Sequence, residues 1–396
     1  MKRSVFLFAL CFFAIASLPR FFSLDAHWSS DESLWLSRSA TFISAVKQGQ
    51  FSETLVAYHP GVTTMWLAGI RKVFVEDTVS VSLKDLVLAR WGIGLIVLGG
   101  LIVVFFLLHR LFPFWPAMFA WGFIAINPFF LAQTRRVHTD ALAAIFMLLT
   151  VLLFLLYCQA PQQHRYLIAS GIAFGLACLS KSYALILLLW VPTCIFLFHQ
   201  CGHPWRKFFS HTLLSVLLFL NYSLVTVFIV WPVFWNSVGM VFGMCLIGVT
   251  VCLPRALLGG RHVPFFLGIT TFVCVVCAGY VIKVGFLVFD KVNWAVTTAH
   301  EVEHFFLGKI ISDPGWFFYL FVLSIKSTPF SIPLAICGII WLWNQRKEAP
   351  LLNQQLRIAF SLLCGILLFT LCLFLTAKKL SRYLLPVFPI LVVCHI

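Results

Sequence analysis

Long apolar runs separated by short polar segments follow one another through the whole chain. They predict membrane-spanning helices at about 4–24, 86–108, 114–132, 141–157, 167–179, 183–198, 212–230, 237–253, 264–282, 328–343, 357–375 and 384–396. The runs are continuous and do not alternate as the strands of a transmembrane barrel would. Helices are the remaining way to satisfy the backbone in lipid. The stretch 167–198 is too long for one upright helix, and Ser180-Lys181-Ser182 interrupts it. It therefore reads as two short spans with Lys181 at the turn. The run from Leu384 to Ile396 has thirteen residues. At 1.5 Å each it reaches roughly 20 Å against a hydrocarbon core of ~30 Å, so the C-terminus reads as truncated. The start of the first run, Lys2-Arg3 followed by apolar residues and Ala14-Ile15-Ala16, has the form of a cleavable signal. Arg20, Phe21, Phe22 and Leu24 continue past that point, which favours a retained first helix with its basic end in the cytoplasm.

Composition agrees with the pattern. Hydrophobic residues make up 61% of the chain and charged residues only 10%, which excludes a soluble domain. The fold expected is an all-α polytopic membrane protein, a single domain over 1–396 with about 11–13 transmembrane helices. There is no internal repeat and no low-complexity linker. Most of the cysteines, such as Cys11, Cys178, Cys245, Cys337 and Cys372, lie inside apolar runs and read as small core residues. Cys274 and Cys277 form a CxxC within an apolar run, where a redox or zinc site would be stranded. "HQCGHPW" (199–205) lacks a four-ligand zinc pattern.

Charge gives the orientation. With the N-terminus inside, two long polar segments fall outside, 25–85 and 283–327. Of the 13 acids all but Glu348 then lie on the outer face, so that face carries the polar chemistry. The short inner loops are basic (Arg110, Arg165, Arg206-Lys207, Arg255, Arg261, Arg346-Lys347), as the positive-inside rule requires. Yet of 28 Lys and Arg, seventeen fall outside. Together with a net charge of +15, that surplus points to an anionic lipid headgroup or a phosphate-bearing ligand on the outer face rather than to nucleic acid.

Five places on that face could carry chemistry. "SSDESLWLSR" (29–38) sets Asp31 and Glu32 side by side; Ser29 and Glu32 have the spacing of a capping box, so the pair is either a helix start or a catalytic carboxylate. Leu36, Ala40 and Ile43 then recur at helical spacing, which predicts an amphipathic interfacial helix in the first outer loop. "AYHPGVTTMW" (57–66) presents His59 at a Pro60-Gly61 turn. "RRVHTDAL" (135–142) places Arg135, Arg136, a histidine and Asp140 at the mouth of a span, where Thr139-Asp140 could equally cap the helix. "TAKKLSRYLLPVFP" (376–389) carries Lys378, Lys379 and Arg382, and Lys181 stands alone. These cations could equally anchor to headgroups. Carboxylates and cations on one membrane face suit an enzyme acting on a lipid-linked phosphate. A transporter of lipid-linked glycans is the alternative, but transporters place ionisable residues near mid-membrane and often show repeated halves.

These segments, with "GLACLSKS" and "FFLGKIISDPGWFFYLFVLSIKSTPF" (305–330), resemble a family of membrane glycosyltransferases. It includes the protein O-mannosyltransferases and the lipid A aminoarabinose transferases. The resemblance runs over nearly the whole chain; the two spans 237–253 and 264–282 look like an insertion in its pattern. It implies a GT-C fold, a first outer loop bearing the catalytic acid, a polyprenyl-phosphate sugar as donor, and inversion at the anomeric carbon. The acceptor would be a hydroxyl or phosphate of a protein or cell-envelope glycolipid; short loops without an added loop domain favour a bacterial inner membrane, with the site facing the periplasm. Asp31 matches the family's catalytic aspartate, and Asp140 an acidic position of the second outer loop. His59 stands where the aminoarabinose transferases have a lysine on the donor phosphate, and a neutral imidazole weakens that role. The catalytic group expected is Asp31 as base, Glu32 orienting it or capping the helix, and Asp140 holding sugar or acceptor. His59, Arg135, Arg136, Lys181, Lys378, Lys379 and Arg382 form the pool of phosphate ligands. The pattern is Asp-Glu rather than Asp-x-Asp, so no metal and no other cofactor is expected.

Overall fold

A computed structural model describes residues 11–57, 60–75, 81–198, 205–236, 304–311, 313–315, 317–327, 350–374 and 379–394, with isolated helical residues between 239 and 344. His59, Lys378, the runs 237–253 and 264–282, most of 328–343, the CxxC and most of the "HQCGHPW" segment lie outside these residues. The described chain is helical: α1 Ser30–Lys47, α2 Val62–Ala68, α3 Leu83–Leu111, α4 Phe114–Ile126, α5 Pro128–Thr134, α6 Thr139–Gln159, α7 His164–Ser180, α8 Leu187–Phe198, α9 Trp205–Val230, α10 Phe318–Lys326, α11 Pro350–Phe374 and α12 Val387–Val393. A short antiparallel hairpin, β1 His304–Phe306 with β2 Lys309–Ile311, precedes α10. Among the described residues four helices are long and apolar enough to cross a membrane, or five when α4 and α5 count as one bent span.

Among the described residues helices lie on the apolar runs at 86–108, 114–132, 141–157, 167–179, 183–198, 212–230 and 357–375, with two breaks. Lys181 has extended backbone between the end of α7 and a 3-10 turn at Ser182–Ile186, so the predicted interruption is there. The run 114–132, read as one span, is instead bent by 59° between α4 and α5. Pro128 cannot donate an amide hydrogen, and the Asn127 side chain accepts from the Phe130 N–H at 2.9 Å, so a new helix starts there.

Helix α6 is the centre of the body. Its apolar window is 78% buried, against 39% for α3, which turns much of its surface to lipid. Helix α7 packs on both α6 and α9. A Cβ at Gly171 would lie 2.8 Å from the Phe219 carbonyl oxygen, and one at Gly175 2.7 Å from that of Ser223. Two glycines four residues apart thus let two backbones touch, the usual small-residue device of membrane helices. At the N-terminus, residues 11–20 dock on α4 through Phe13, stacked on Trp121 at 4.8 Å. Arg20 is fully buried and donates to the carbonyls of Ala16 at 2.7 Å and Ala125 at 2.5 Å. The stripe Leu36, Ala40 and Ile43 of α1 is buried in the protein, with α1 lying on α2 and α3, so α1 is amphipathic toward the body rather than toward lipid.

Candidate active site

The N-terminus of α1 is fixed by local and distant partners together. Glu32 turns back on the first turn, where its Oε2 accepts from the Ser29 N–H and the Ser29 hydroxyl, each at 3.0 Å. The predicted capping box is present. Glu32 also holds Arg90 of α3 in a fork, with Nε to Oε1 at 2.8 Å and Nη2 to Oε2 at 2.7 Å, and accepts from the Val137 N–H at 2.9 Å. Arg90 in turn donates to the carbonyls of Leu24, Ala26 and His27. Burial pushes the Glu32 carboxyl up, but the Arg90 hydrogen bonds and the Val137 and Ser29 amides more than offset it and hold it below the usual range. Glu32 is 1% exposed and fully engaged, so its place is that of an anchor. It joins the segment 24–32, α3 and the turn before α6.

That anchor sets the next residue, Asp31, toward a different group of side chains. The Asp31 carboxylate pairs with Arg382 through Oδ2, and the same oxygen lies 4.0 Å from Nε2 of His138. Arg382 also approaches Asp140, with Nε 3.6 Å from Oδ2. Asp140, at the start of α6, has Nδ1 of His138 2.7 Å from its Oδ2, and receives Lys181 and the Tyr183 hydroxyl on Oδ1. The Asp140 N–H donates to Nδ1 at 3.4 Å, so the His138 ring caps α6. Lys181 sits between aromatic faces, 4.4 Å from the Tyr383 ring centre and 5.2 Å from that of Tyr183.

Two layers result. Asp140 and Lys181 have side chains 0% and 2% exposed, whereas Asp31 and Arg382 are 38% and 26% exposed. The inner pair, the tyrosines and His138 make a scaffold; the outer pair faces whatever arrives. For Asp31, burial raises the carboxyl, but the Arg382 charge and hydrogen bond and the His138 ring pull it below its ordinary range. Burial lowers the His138 imidazole further than Asp140 raises it, so the ring is held neutral. Among the described residues no three His, Cys, Asp or Glu side chains converge as a metal would require.

Of the predicted site residues, Asp31, Asp140, Lys181 and Arg382 come together. Arg135 reaches back to the Phe22 carbonyl at 2.5 Å, and Arg136 is exposed beside it. Lys379 is buried and pairs with Asp313 at 2.9 Å, tying the segment after the hairpin to the one before α12. Arg90, Tyr183, Tyr383 and the role of His138 were not anticipated. Arg90 carried a signal, a cation inside an apolar run. His138 adjoins Asp140 in sequence, but only the fold brings it to Asp31.

Residues 78–258 match the family model described as dolichyl-phosphate-mannose-protein mannosyltransferase. No curated protein matches the chain in sequence. Among solved structures, the chain is similar to the apo oligosaccharyltransferase of Archaeoglobus fulgidus, with 13% identity and a TM-score of 0.56 over 98% of this chain and 50% of that one. The same oligosaccharyltransferase, AglB, in complex with an inhibitory peptide and a dolichol-phosphate matches at 14% identity and a TM-score of 0.54, again over 98% and 50%. ArnT from Cupriavidus metallidurans bound to undecaprenyl phosphate matches at 16% identity and a TM-score of 0.52 over 98% of this chain and 59% of that one. The chain therefore spans about half the length of the first structures it matches. It has the GT-C fold of these membrane glycosyltransferases, and the resemblance read from its sequence stands.

Proposed function

We propose that the protein transfers a sugar from a polyprenyl-phosphate donor to an acceptor hydroxyl, with Asp31 as the base and Arg382 as the cation that meets the departing phosphate. The observation that carries this reading is the half-exposed Asp31–Arg382 pair lying over a buried Asp140–Lys181 pair. The polyprenyl phosphates bound to ArnT and AglB support the donor class.

A phosphate leaves without being protonated, so a second carboxylic acid of the kind glycosidases use is not needed. The reaction needs a base for the acceptor proton and a cation for charge building on the phosphate. One ion pair supplies both. As the new C–O bond forms and the bond from C1 to the phosphate oxygen breaks, the acceptor proton moves to Asp31. The neutral acid no longer holds Arg382, whose guanidinium is then free to fork onto phosphate oxygens. Lys181 is committed to Asp140 and enclosed by two tyrosines, so its work is to keep Asp140 ionised. Asp140 in turn sets His138 and Arg382. Attack from the face opposite the leaving phosphate inverts the anomeric centre. The outer membrane face, periplasmic in a bacterium, is where this site would work.

The test is release of free polyprenyl phosphate from labelled polyprenyl-phosphate sugar by purified protein in detergent. Asp31→Asn should lower turnover by about 100-fold or more, the usual scale for losing a positioned base. Parent-level release by this variant removes Asp31 from the role. Movement of a lipid-linked glycan across vesicles without any sugar transfer would point instead to a transporter.

A further inference from the structure

We propose that the β1–β2 hairpin is a membrane-docking element, whose tip carries Leu307 and Ile310 into the acyl chains of the leaflet beside the site. It concerns a part of the chain that the transferase reading does not use, and it stands apart from that reading. Three observations support it.

The first is the turn. The pairing of Phe306 with Lys309 leaves Leu307 and Gly308 as a two-residue loop. Both have positive φ, +51° and +80°. That is the pattern of a type I′ turn, whose first position favours asparagine, aspartate or glycine. A leucine there is strained, yet it is 62% exposed and packs on nothing that would repay the strain. A Cβ on Gly308 would meet nothing within 4 Å, so the tip stands in open space.

The second is the face. Side chains alternate across a strand, so Phe306 and Lys309 share one face and Ile310 takes the other. Phe306 packs on Phe318 and Phe321 of α10, with ring centres 5.5 and 5.0 Å apart. Ile310 consequently points away from α10 and is 65% exposed. With three residues in each strand the hairpin has no core of its own and would be marginal in water.

The third is the level. Tyr319 of α10 is fully buried and packs against Phe374, the last residue of α11, with ring centres 6.1 Å apart. Gln354–Phe374 is long and apolar enough to cross a membrane, and its Leu367 and Leu371 are exposed, as a lipid-facing side is. The hairpin and α10 thus lie at the end of a membrane-crossing helix, where the exposed Leu320 and Ile325 of α10 add apolar surface. Lys309 is exposed on the hairpin face opposite Ile310, placed for headgroup phosphates when the apolar tip enters the chains. The element is also tied to the site. Asp313 pairs with Lys379, and α10 packs on the 3-10 turn Ser381–Leu384 that carries Arg382. Docking in the leaflet therefore braces the turn that holds Arg382.

The test is photolabelling of the full chain in vesicles of phosphatidylglycerol and phosphatidylethanolamine that contain a phospholipid with a diazirine in its acyl chain. Leu367 and Leu371 are the internal standard for lipid contact. Leu307 and Ile310 should carry adducts at a yield comparable to theirs. Leu307→Asn is the discriminating variant. Asparagine suits the turn better than leucine, so a purely structural hairpin keeps or gains hydrogen-exchange protection at residues 304–311. The adduct yield at Ile310 should nonetheless fall about ten-fold, the scale of losing one leucine from an apolar surrounding. Leu307→Met keeps an apolar tip and should label Ile310 as the parent does. Labelled Leu367 and Leu371 beside unlabelled Leu307 and Ile310 overturns the proposal, since the tip then meets water or another part of the chain. Parent-level labelling of Ile310 in Leu307→Asn overturns it as well. The labelling does not depend on sugar transfer, so failure of the donor assay leaves this result standing, and failure here leaves the transferase reading intact.

Discussion

Glu32→Gln is the sharpest test of how the start of α1 is held. The Glu32 carboxylate accepts from five donors: the Arg90 Nε and Nη2, the Val137 N–H, and the Ser29 N–H and hydroxyl, all between 2.7 and 3.0 Å. A glutamine offers one acceptor oxygen in place of two, and its amide nitrogen would face donors whichever way it turned. At least two of the five contacts are lost. Arg90, 5% exposed, is left as a buried cation without its counter-charge. Removing one partner of a buried pair costs about 3–5 kcal/mol. The loss should appear as a lower unfolding temperature in detergent, with the steepest loss of protection at residues 24–32 by hydrogen exchange. Turnover should fall with it, since Asp31 is the next residue. Replacing both partners, Glu32→Gln with Arg90→Met, should recover part of the stability because the stranded charge is gone. If Glu32→Gln unfolds at the parent temperature and keeps parent turnover, the anchor account is wrong.

Asp140→Asn should destabilise by a similar ~3–5 kcal/mol by stranding Lys181, and Asp140→Asn with Lys181→Met should restore stability but not turnover; thermal unfolding beside the release assay separates the two. Gly61→Ala should cost about 1–3 kcal/mol, because Gly61 has φ of +58° and a Cβ there would fall 2.3 Å from the Trp35 ring; an unchanged melting temperature would count against that packing. Acid should destabilise the protein in two stages. The neutral form of His138 is favoured in the folded state, so stability starts to fall as pH drops below 6.5. Glu32 is depressed, so its contribution is complete above 4.5 and is lost as pH falls through its lower folded value. His138→Asn should flatten the first stage and Glu32→Gln the second in melts from pH 4 to 8.

The legible parts of the sequence were the local ones. Apolar run length fixed the spans of α3, α6, α9 and α11. The break at Ser180-Lys181-Ser182 announced itself because a cation interrupts the run. The break at Asn127-Pro128 has equally good stop chemistry, but it lies within an unbroken apolar stretch and was absorbed into one span. The capping box of Ser29 and Glu32 is readable from spacing three residues apart. Its distant half is not, because nothing in one sequence says that the carboxylate at 32 meets the guanidinium at 90. The Asp31–Arg382 pair, 351 positions apart, poses the same problem. Their place in charged clusters on one predicted face brought both residues forward; their contact required the fold. Lys181 shows what charge alone leaves out: the sequence shows a lone cation between spans, and only the fold shows its Asp140 partner and its tyrosine walls.

Why a membrane protein should invest in so tightly paired a cluster follows from its charge arithmetic. Asp31 and Asp140 are balanced by Lys181 and Arg382 around a neutral imidazole, so the resting site carries no net charge. That makes it tolerable beside lipid, where an unmatched ion costs several kcal/mol. A polyprenyl-phosphate sugar is a phosphodiester with one negative charge. Its product is a monoester with a second ionisable oxygen. In the proposed reaction the phosphate gains about one negative charge while Asp31 loses one, and Arg382 moves between them. The sum over carboxylate, guanidinium and phosphate is the same before and after. Charge is redistributed within the rim, with little net charge brought in from water, and the cation that stabilises the product is the one the substrate's own proton sets free.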